Sequence, residues 1–509
     1  MIGVTPGGSV QAGKKSLIAQ AGPLFLGRGG STVLCLALPL LLTRLLPQAE
    51  YGTYKALFLV ATTAFFVLQV GLSQSLYYFV PRGGQDTRAY FTQSLLGCTV
   101  AGGCGALLLH AAREPIAHQF GNPQLAAFAA PMALIAFTMV AAAPLEVMLT
   151  AEGNARRAGL LFFLSDLVRV PASVLPLLAG CGLSGLLWGT VGHGALRMLA
   201  CAALLVRRGA RLDGKMFRAQ LGYALPFGAA VAIDIPQKTF HQYAVGSAVS
   251  PALFAIYMQG CFQIPIISLL YSPISDILQV RMAARRGGSR EAIALFHEAN
   301  LRLAAVFFPF TACMFAAGAL FIPALFTHQY DPSIPIYRLA VLAVPFSALP
   351  LDGMLRSLDR TRYLFRIFCL KLALTVPAVL LGLHLFGMAG AIGGQVIAEW
   401  MIRSAMLDRV RRELACGWSE ILPWRALGRL AGSSLAACAP VLFVVRAASG
   451  SPRPFLALVA AAAAYGAVYL AVLAWAPGPG SPAVRLKRAL LGDPGAPPVA
   501  NDPASVAAA

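Results

Sequence analysis

Charge is what this sequence has least of. Asp, Glu, Lys and Arg together make up 12% of its 509 residues, about half the share of a soluble domain. Apolar residues fill 58% of the chain, and the mean hydropathy is +0.71. Apolar runs recur from Leu17 to Trp475, separated by short basic or Gly/Pro-containing breaks. Each is long enough to cross a hydrocarbon core of roughly 30 Å. This excludes a soluble globular chain and predicts an all-α integral membrane protein. Other absences narrow the function. The ten cysteines form no C-x-x-C pair, and most, such as Cys98, Cys201 and Cys369, sit inside apolar runs. They read as small membrane-buried side chains, so no metal or other cofactor is expected. No P-loop suggests an ATPase. Acidic residues number 20 against 40 Lys and Arg. In a membrane chain that surplus reads as topogenic charge, not as a nucleic-acid footprint. The first apolar run follows Lys14 and Lys15. It is too long for a signal-peptide core and lacks a small-residue cleavage site.

Run lengths and breaks predict about fourteen transmembrane helices. Their approximate spans are 17–45, 52–80, 89–111, 123–150, 157–180, 183–206, 217–246, 251–280, 292–324, 334–356, 362–386, 388–408, 422–445 and 454–476. The loops agree with this count. One set of alternate loops, with both termini, carries roughly 25 Lys and Arg. The other holds about four, Arg44, Arg113, Arg446 and Arg453. The basic set faces the cytoplasm, so both termini are expected inside. The outer loops are too short to house a catalytic domain. The tail from Pro477 is rich in Pro, Gly and Ala beyond a basic patch at Arg485, Lys487 and Arg488, and is predicted to be disordered.

A gapless shift of 203 residues lays Pro23 on Pro226, Tyr54 on Tyr257, Arg82 on Arg285 and Gly84 on Gly287. Six helices separate the copies, so both share one orientation. The implied pseudo-two-fold axis runs along the membrane normal. The expected architecture is two six-helix bundles, 1–210 and 211–415, then a terminal helix pair over 416–476 and a cytoplasmic tail over 477–509.

The stretch TRLLPQAEYGTYKALF at 43–58 joins the first two helices. Pro47 and Gly52 are expected to make a tight outer reversal, with Tyr51 and Tyr54 at the membrane–water interface. Arg44, Leu45, Tyr51, Gly52 and Tyr54, then Gly71, Leu72 and the close Tyr78-Phe79-Val80-Pro81-Arg82, resemble the N-terminal signature of Wzx-type polysaccharide (oligosaccharide) flippases. These belong to the multidrug/oligosaccharidyl-lipid/polysaccharide exporter superfamily. The counterpart PALFAIYMQG keeps Tyr257 but has Ala255 in place of the first-lobe glycine. The resemblance implies a transporter, not an enzyme. It would move an undecaprenyl-pyrophosphate-linked oligosaccharide across the bacterial inner (cytoplasmic) membrane by alternating access. Energy would come from an H⁺ or Na⁺ gradient or the membrane potential. Other polysaccharide-assembly proteins join the lipid bilayer among the expected partners, and nucleic acid does not.

Such a carrier needs cations for the diphosphate inside a medium that excludes them. Arg28, flanked by glycines at 27, 29 and 30, is the leading candidate. Lys238, Arg302, Lys371 and Arg197 follow. Arg suits bidentate phosphate contact and Lys acts as a point charge. Asp166, Asp234, Glu399 and Glu146 are candidates for ion coupling, or else counter-ions of those cations. Asp234, Lys238 and His241 share one helical face, so Asp234 and Lys238 can equally neutralise each other. Arg366 and Arg403 are expected to snorkel from inner helix ends. Prolines inside helices, among them Pro144, Pro171, Pro226, Pro236 and Pro273, predict kinks. Two rival functions remain: another exporter of the same superfamily, for lipid II or drugs, and a membrane glycosyltransferase or polymerase. The short outer loops weigh against the second.

Overall fold

A computed structural model describes residues 30, 31, 34, 36–81, 87–153, 155–262, 264, 266–284, 288–448 and 453–475. Arg28, Pro23, Arg82, Arg285 and the C-terminal tail lie outside them. Every regular element among the described residues is helical, and nine helices are long and apolar enough to cross a membrane. The protein is a multi-pass membrane protein. The chain packs as two compact units that divide between Met258 and Gln259.

The first unit begins with α1 (Leu36–Leu45) and α2 (Gln48–Leu68). It continues through α3 (Leu72–Phe79), α4 (Thr87–Ala111), α5 (Ala129–Ala151), α6 (Ala155–Pro176), α7 (Gly182–Arg208) and α8 (Gly214–Gly246). α9 (Pro251–Gly260) follows, and the first unit ends within it, at Met258. α5 is the hub, packed by α4, α7, α2 and α3, while α6 pairs with α7. Apolar side chains with no water to avoid gain little by association in a membrane, so close backbone approach and polar bonds set the packing. Gly52 shows this. It lies inside α2, where a Cβ would stand 1.8 Å from the Pro251 carbonyl oxygen. The expected reversal is therefore made at Pro47, which precedes α2, and Gly52 instead lets two helix ends touch. Tyr51 and Tyr54 are buried rather than interfacial. Asn122 donates to Thr53 Oγ1 at 2.9 Å, tying the α2 start to the chain before α5.

One expected span is broken. Gln69, Val70 and Gly71 separate α2 from α3, with φ of +48° at Val70 and +73° at Gly71. A β-branched residue at positive φ is costly, and the break is held by α8. A Cβ on Gly71 would meet the Ala224 carbonyl at 2.5 Å, and one on Gly228 would meet the Val70 backbone at 2.6 Å. Beside the break, the Gln69 side-chain carbonyl accepts from the Ser73 hydroxyl at 2.6 Å and from the Gln74 amide at 3.0 Å.

The second unit holds α10 (Ile266–Ala284), α11 (Ser289–Phe326), α12 (Ile334–Val341), α13 (Leu351–Ser357), α14 (Thr361–Glu413), α15 (Trp424–Ala436), α16 (Cys438–Ala447) and α17 (Pro454–Trp475). α11 is its axis, packed by α10, α12, α15, α16 and α17. Pro345 sits in a 3-10 turn, Val344–Ala348, which divides α12 from α13 where one continuous helix was expected.

Two hairpins use the same local device, one in each unit. Between α6 and α7, Gly182 has φ 58° and ψ −156°. Within α14, Gly387 has φ 60° and ψ −146°, a region open only to glycine. Gly182, Gly185 and Gly189 are followed at the same spacing by Gly387, Gly390 and Gly394. A Cβ on Gly189 would stand 1.9 Å from the Ala172 carbonyl, and one on Gly394 would stand 2.2 Å from that of Ala378. The chain reverses at the first glycine of each trio and the returning helices touch backbone to backbone at the third. Of the four repeat pairs read from the sequence, Tyr54 and Tyr257 alone fall wholly in the described residues, and both are buried.

Candidate functional site

Most of the intramembrane charges foreseen in the sequence meet one another. In the first unit, Arg197 of α7 donates to Glu146 of α5 at 2.6 Å, and each side chain is about a quarter exposed. Asp166 of α6 pairs with Arg169 at 3.1 Å and accepts from the Ser31 hydroxyl. His193 of α7 is buried, with Nε2 at 3.0 Å from the Ser165 carbonyl and 3.2 Å from its hydroxyl. Arg169 and Arg197 both act electrostatically on that imidazole. Three helices are thus bridged by polar bonds. A charge in lipid persists only when so compensated.

On α8, Lys238 Nζ lies 2.5 Å from Asp234, with the lysine 59% exposed. His241 does not join them. It turns inward, and its Nδ1 lies 2.6 Å from the Tyr257 hydroxyl. The face expected to carry all three residues is therefore split between an exposed ion pair and a buried bond to α9.

The second unit contains a more buried cluster. Glu399 stands between two cations, with Oε2 at 2.6 Å from Lys371 Nζ and Oε1 at 2.6 Å from Arg403 Nε. Lys371 is only 7% exposed. Arg403 Nη1 also donates to the carbonyls of Phe346 and Leu349, each at 3.3 Å. Asp352 accepts from the Tyr271 hydroxyl at 3.2 Å and acts on Arg403. Two cations and two carboxylates thus gather from α13 and α14, beside a tyrosine of α10. Arg403 corrects the snorkelling expectation. α14 runs on to Glu413, so Arg403 lies well inside the helix, and its guanidinium turns inward. Asp352 and Tyr271 were not singled out beforehand. The one-turn Glu399–Arg403 spacing is readable in the sequence as an ion pair, but nothing in the sequence ties Asp352 or Tyr271 to it. Arg366 is exposed.

Arg302 pairs with Glu298 at 2.5 Å, and Glu298 also holds Arg281 at 2.8 Å. Two guanidinium groups thus share one carboxylate between α10 and α11, leaving a net positive charge. No group of three or more His, Cys, Asp and Glu that could hold a metal occurs among the described residues.

The second unit also carries an apolar groove. Two cavities of about 580 Å³ each adjoin along α11, α12 and α15, sharing Phe308, Pro345 and Ala431. One extends past Phe315, Leu435 and Leu442 to Arg338. The other extends past Leu407 and Leu427 to Trp418 and Trp424.

Outside the spans, Asp213 caps α8. Its carboxylate accepts from the backbone of Lys215 at 2.9 Å and Met216 at 3.1 Å. The Met216 N–H, first, holds it below the usual carboxylate range.

The polysaccharide biosynthesis protein family matches residues 41–335. No protein of curated function matches the sequence. Among solved structures, the lipid II flippase MurJ in an inward closed conformation gives a TM-score of 0.67 at 13% identity. The alignment covers 88% of this chain and 97% of that one. A MOP superfamily transporter from Pyrococcus furiosus, described by the reverse polarity of its binding pocket, gives 0.56 at 18% identity, with coverages of 78% and 95%. An outward-facing multidrug resistance MATE family transporter gives 0.55 at 17% identity, again over 78% and 95%. At these identities the likeness is one of fold. The family match covers more than half of the sequence, and the chain belongs to the polysaccharide biosynthesis protein family, built on the fold of MurJ and the MATE transporters.

Proposed function

We propose that this protein is a flippase, not an enzyme. Its substrate is an undecaprenyl-pyrophosphate-linked oligosaccharide bound for cell-surface or exopolysaccharide assembly. It carries this lipid from the cytoplasmic to the periplasmic face of the inner membrane by alternating access. The family match is the observation that carries this function, and the fold shared with a protein that flips lipid II supports it. Two six-helix bundles, 1–210 and 211–415, are the moving bodies, with both termini cytoplasmic.

The chemistry follows from the ion pairs. Lys238, Arg197, Lys371 and Arg302 each rest against a carboxylate of this chain. A diphosphate is a stronger, multidentate acceptor for the same cations. When it displaces Asp234 or Glu399, the released carboxylate is left inside the membrane and takes up H⁺ or Na⁺. Substrate binding and ion uptake are then one exchange. Lys238–Asp234 is the pair best placed to open first, because it is the more exposed. Arg28 supplies a further diphosphate contact at the start of the chain.

Arg28→Ala is expected to abolish surface polysaccharide at unchanged protein level, with lipid-linked oligosaccharide accumulating inside. Normal surface glycan in that variant removes Arg28 from the mechanism. A second function, lipid II flipping, is favoured by the higher TM-score and coverage against MurJ than against the MATE transporters. Depletion separates the two: loss of surface glycan without lysis supports the first, and lysis supports the second.

A further inference from the structure

We infer that Tyr78 and Tyr223 form a stacking platform for the sugar rings of the substrate, in line with Lys238. This rests on the proposed function and deepens it, by giving the glycan a contact apart from the diphosphate. The two rings come from different helices, α3 and α8. Their centroids stand 4.4 Å apart, with planes 23° from parallel. A stacked pair in a packed core is buried. Here Tyr78 remains 38% exposed and Tyr223 44%.

The pair is held from behind. Phe79 stacks on Tyr90 of α4 at 4.7 Å and meets Tyr223 edge-on at 5.7 Å. Gln220 of α8, fully buried, donates to the Ser75 hydroxyl at 2.8 Å and to that of Ser94 at 2.7 Å. With Ala224 and Gly228 it forms the buried stripe that seats α8 on α3 and α4. The tyrosines are therefore positioned before any ligand arrives.

Tyr223, Phe227, Asp234 and Lys238 follow one another at steps of four, seven and four residues, along one face of a helix. Phe227 is 45% exposed and extends the aromatic surface by a turn. This face borders water, as its ion pair shows. The Asp234 and Lys238 side chains are 35% and 59% exposed. Both lie within about 10 Å of the middle of the expected span 217–246, inside a core whose half-thickness is roughly 15 Å. Lipid rejects an exposed charged pair at that depth.

The face of an aromatic ring is negative and attracts weakly positive groups. The C–H bonds on one side of a pyranose ring are such groups, and a cation is another. A cationic ligand would stand between Lys238 and the exposed Arg218, both of its own sign. A phosphate would meet the negative ring faces. A neutral sugar suits the rings, and its hydroxyls suit the tyrosine O–H groups. From Tyr223 to Asp234 is roughly 16 Å along the axis, more than one sugar ring spans. Only an oligosaccharide engages Lys238 through its diphosphate and the tyrosines through its sugars at once. Its glycan then points to the basic end of α8, where the substrate enters.

The test is equilibrium binding to the full-length protein in nanodiscs. The fluorescent probes are undecaprenyl diphosphate, the same lipid with one N-acetylglucosamine, and the same lipid with a chito-oligosaccharide. Wild type is expected to bind the third most tightly. Tyr78→Leu and Tyr223→Leu, which keep apolar bulk without the ring, should each weaken it about three- to tenfold. Binding of the other two should be unchanged, which also reports that the variants are folded. Tyr223→Phe keeps the ring and should stay within about twofold of wild type. Equal binding of the three probes by wild type overturns the platform, and so does unchanged oligosaccharide binding in both leucine variants. An equal loss for all three probes overturns it too, since the pair would then be a packing or membrane-interface feature. Ring-dependent binding in a protein that translocates nothing keeps the platform and removes the transport. Translocation by wild type, with leucine variants that bind the oligosaccharide normally, keeps the flippase and removes the platform.

Discussion

Glu399 shows what single residues do in this chain. One carboxylate, 2.6 Å from each of two buried cations, converts charges that lipid would reject into a neutral cluster. Glu399→Gln leaves Lys371 and Arg403 without it and is expected to cost about 3–5 kcal/mol, the usual loss when one partner of a buried pair is removed. Adding Lys371→Met should cost less than the sum of the single changes, since the two share one interaction. Thermal unfolding in detergent measures both. Asp213 behaves differently because it faces water. Its depressed carboxylate stabilises the α8 start fully above the unfolded value of about 3.9, and loses that contribution as pH falls through the lower folded value. The gap in melting temperature between wild type and Asp213→Ala should thus be widest near neutral pH and close in acid, with Asp213→Asn, another good cap, near wild type throughout. The charges themselves were legible in the sequence as interruptions of apolar runs. Their partners were not, because Glu146–Arg197 joins two helices and Glu399–Lys371 joins the two arms of α14 folded back at Gly387, and one helical segment does not state which face meets which neighbour.

Among the elements, helices were legible wherever run length alone decides. The breaks were not. Gln69–Gly71 and Val344–Ala348 interrupt runs whose hydropathy gives no warning, and tertiary contacts hold each one, as α8 holds the Val70 backbone against Gly228. The paired hairpins were legible in principle. The glycine trio at 182, 185 and 189 recurs at 387, 390 and 394, a stronger internal echo than the four matches first noted. Its meaning needs the backbone angles and the contacts at Ala172 and Ala378. Gly189→Ala and Gly394→Ala should each lower stability by about 1–3 kcal/mol or more, because the added methyl meets backbone that cannot turn aside. Gly192→Ala and Gly393→Ala provide the comparison. Nothing lies within 4 Å of a Cβ at either site, so each should be neutral or gain up to about 1 kcal/mol in helix propensity. Equal loss at all four positions would mean that the close approach is not what holds the hairpins.

For the whole molecule, the short signature from Arg44 to Tyr54 pointed to a polysaccharide flippase, and the family match over 41–335 encloses it. The signature marks the family through packing. Gly52 is there to admit the Pro251 backbone, and Tyr51 and Tyr54 are buried around it. In the proposed mechanism substrate contact falls to deeper charges, which stand in ion pairs with carboxylates of this chain. Transport of a charged lipid headgroup is the central claim. Reconstitution in liposomes with fluorescently labelled undecaprenyl-pyrophosphate-linked oligosaccharide measures it, by the fraction of label that becomes accessible to a membrane-impermeant quencher. Protein-dependent translocation that responds to an imposed H⁺ or Na⁺ gradient is the predicted result. Label confined to its original leaflet, with correctly folded protein under every gradient, would contradict it.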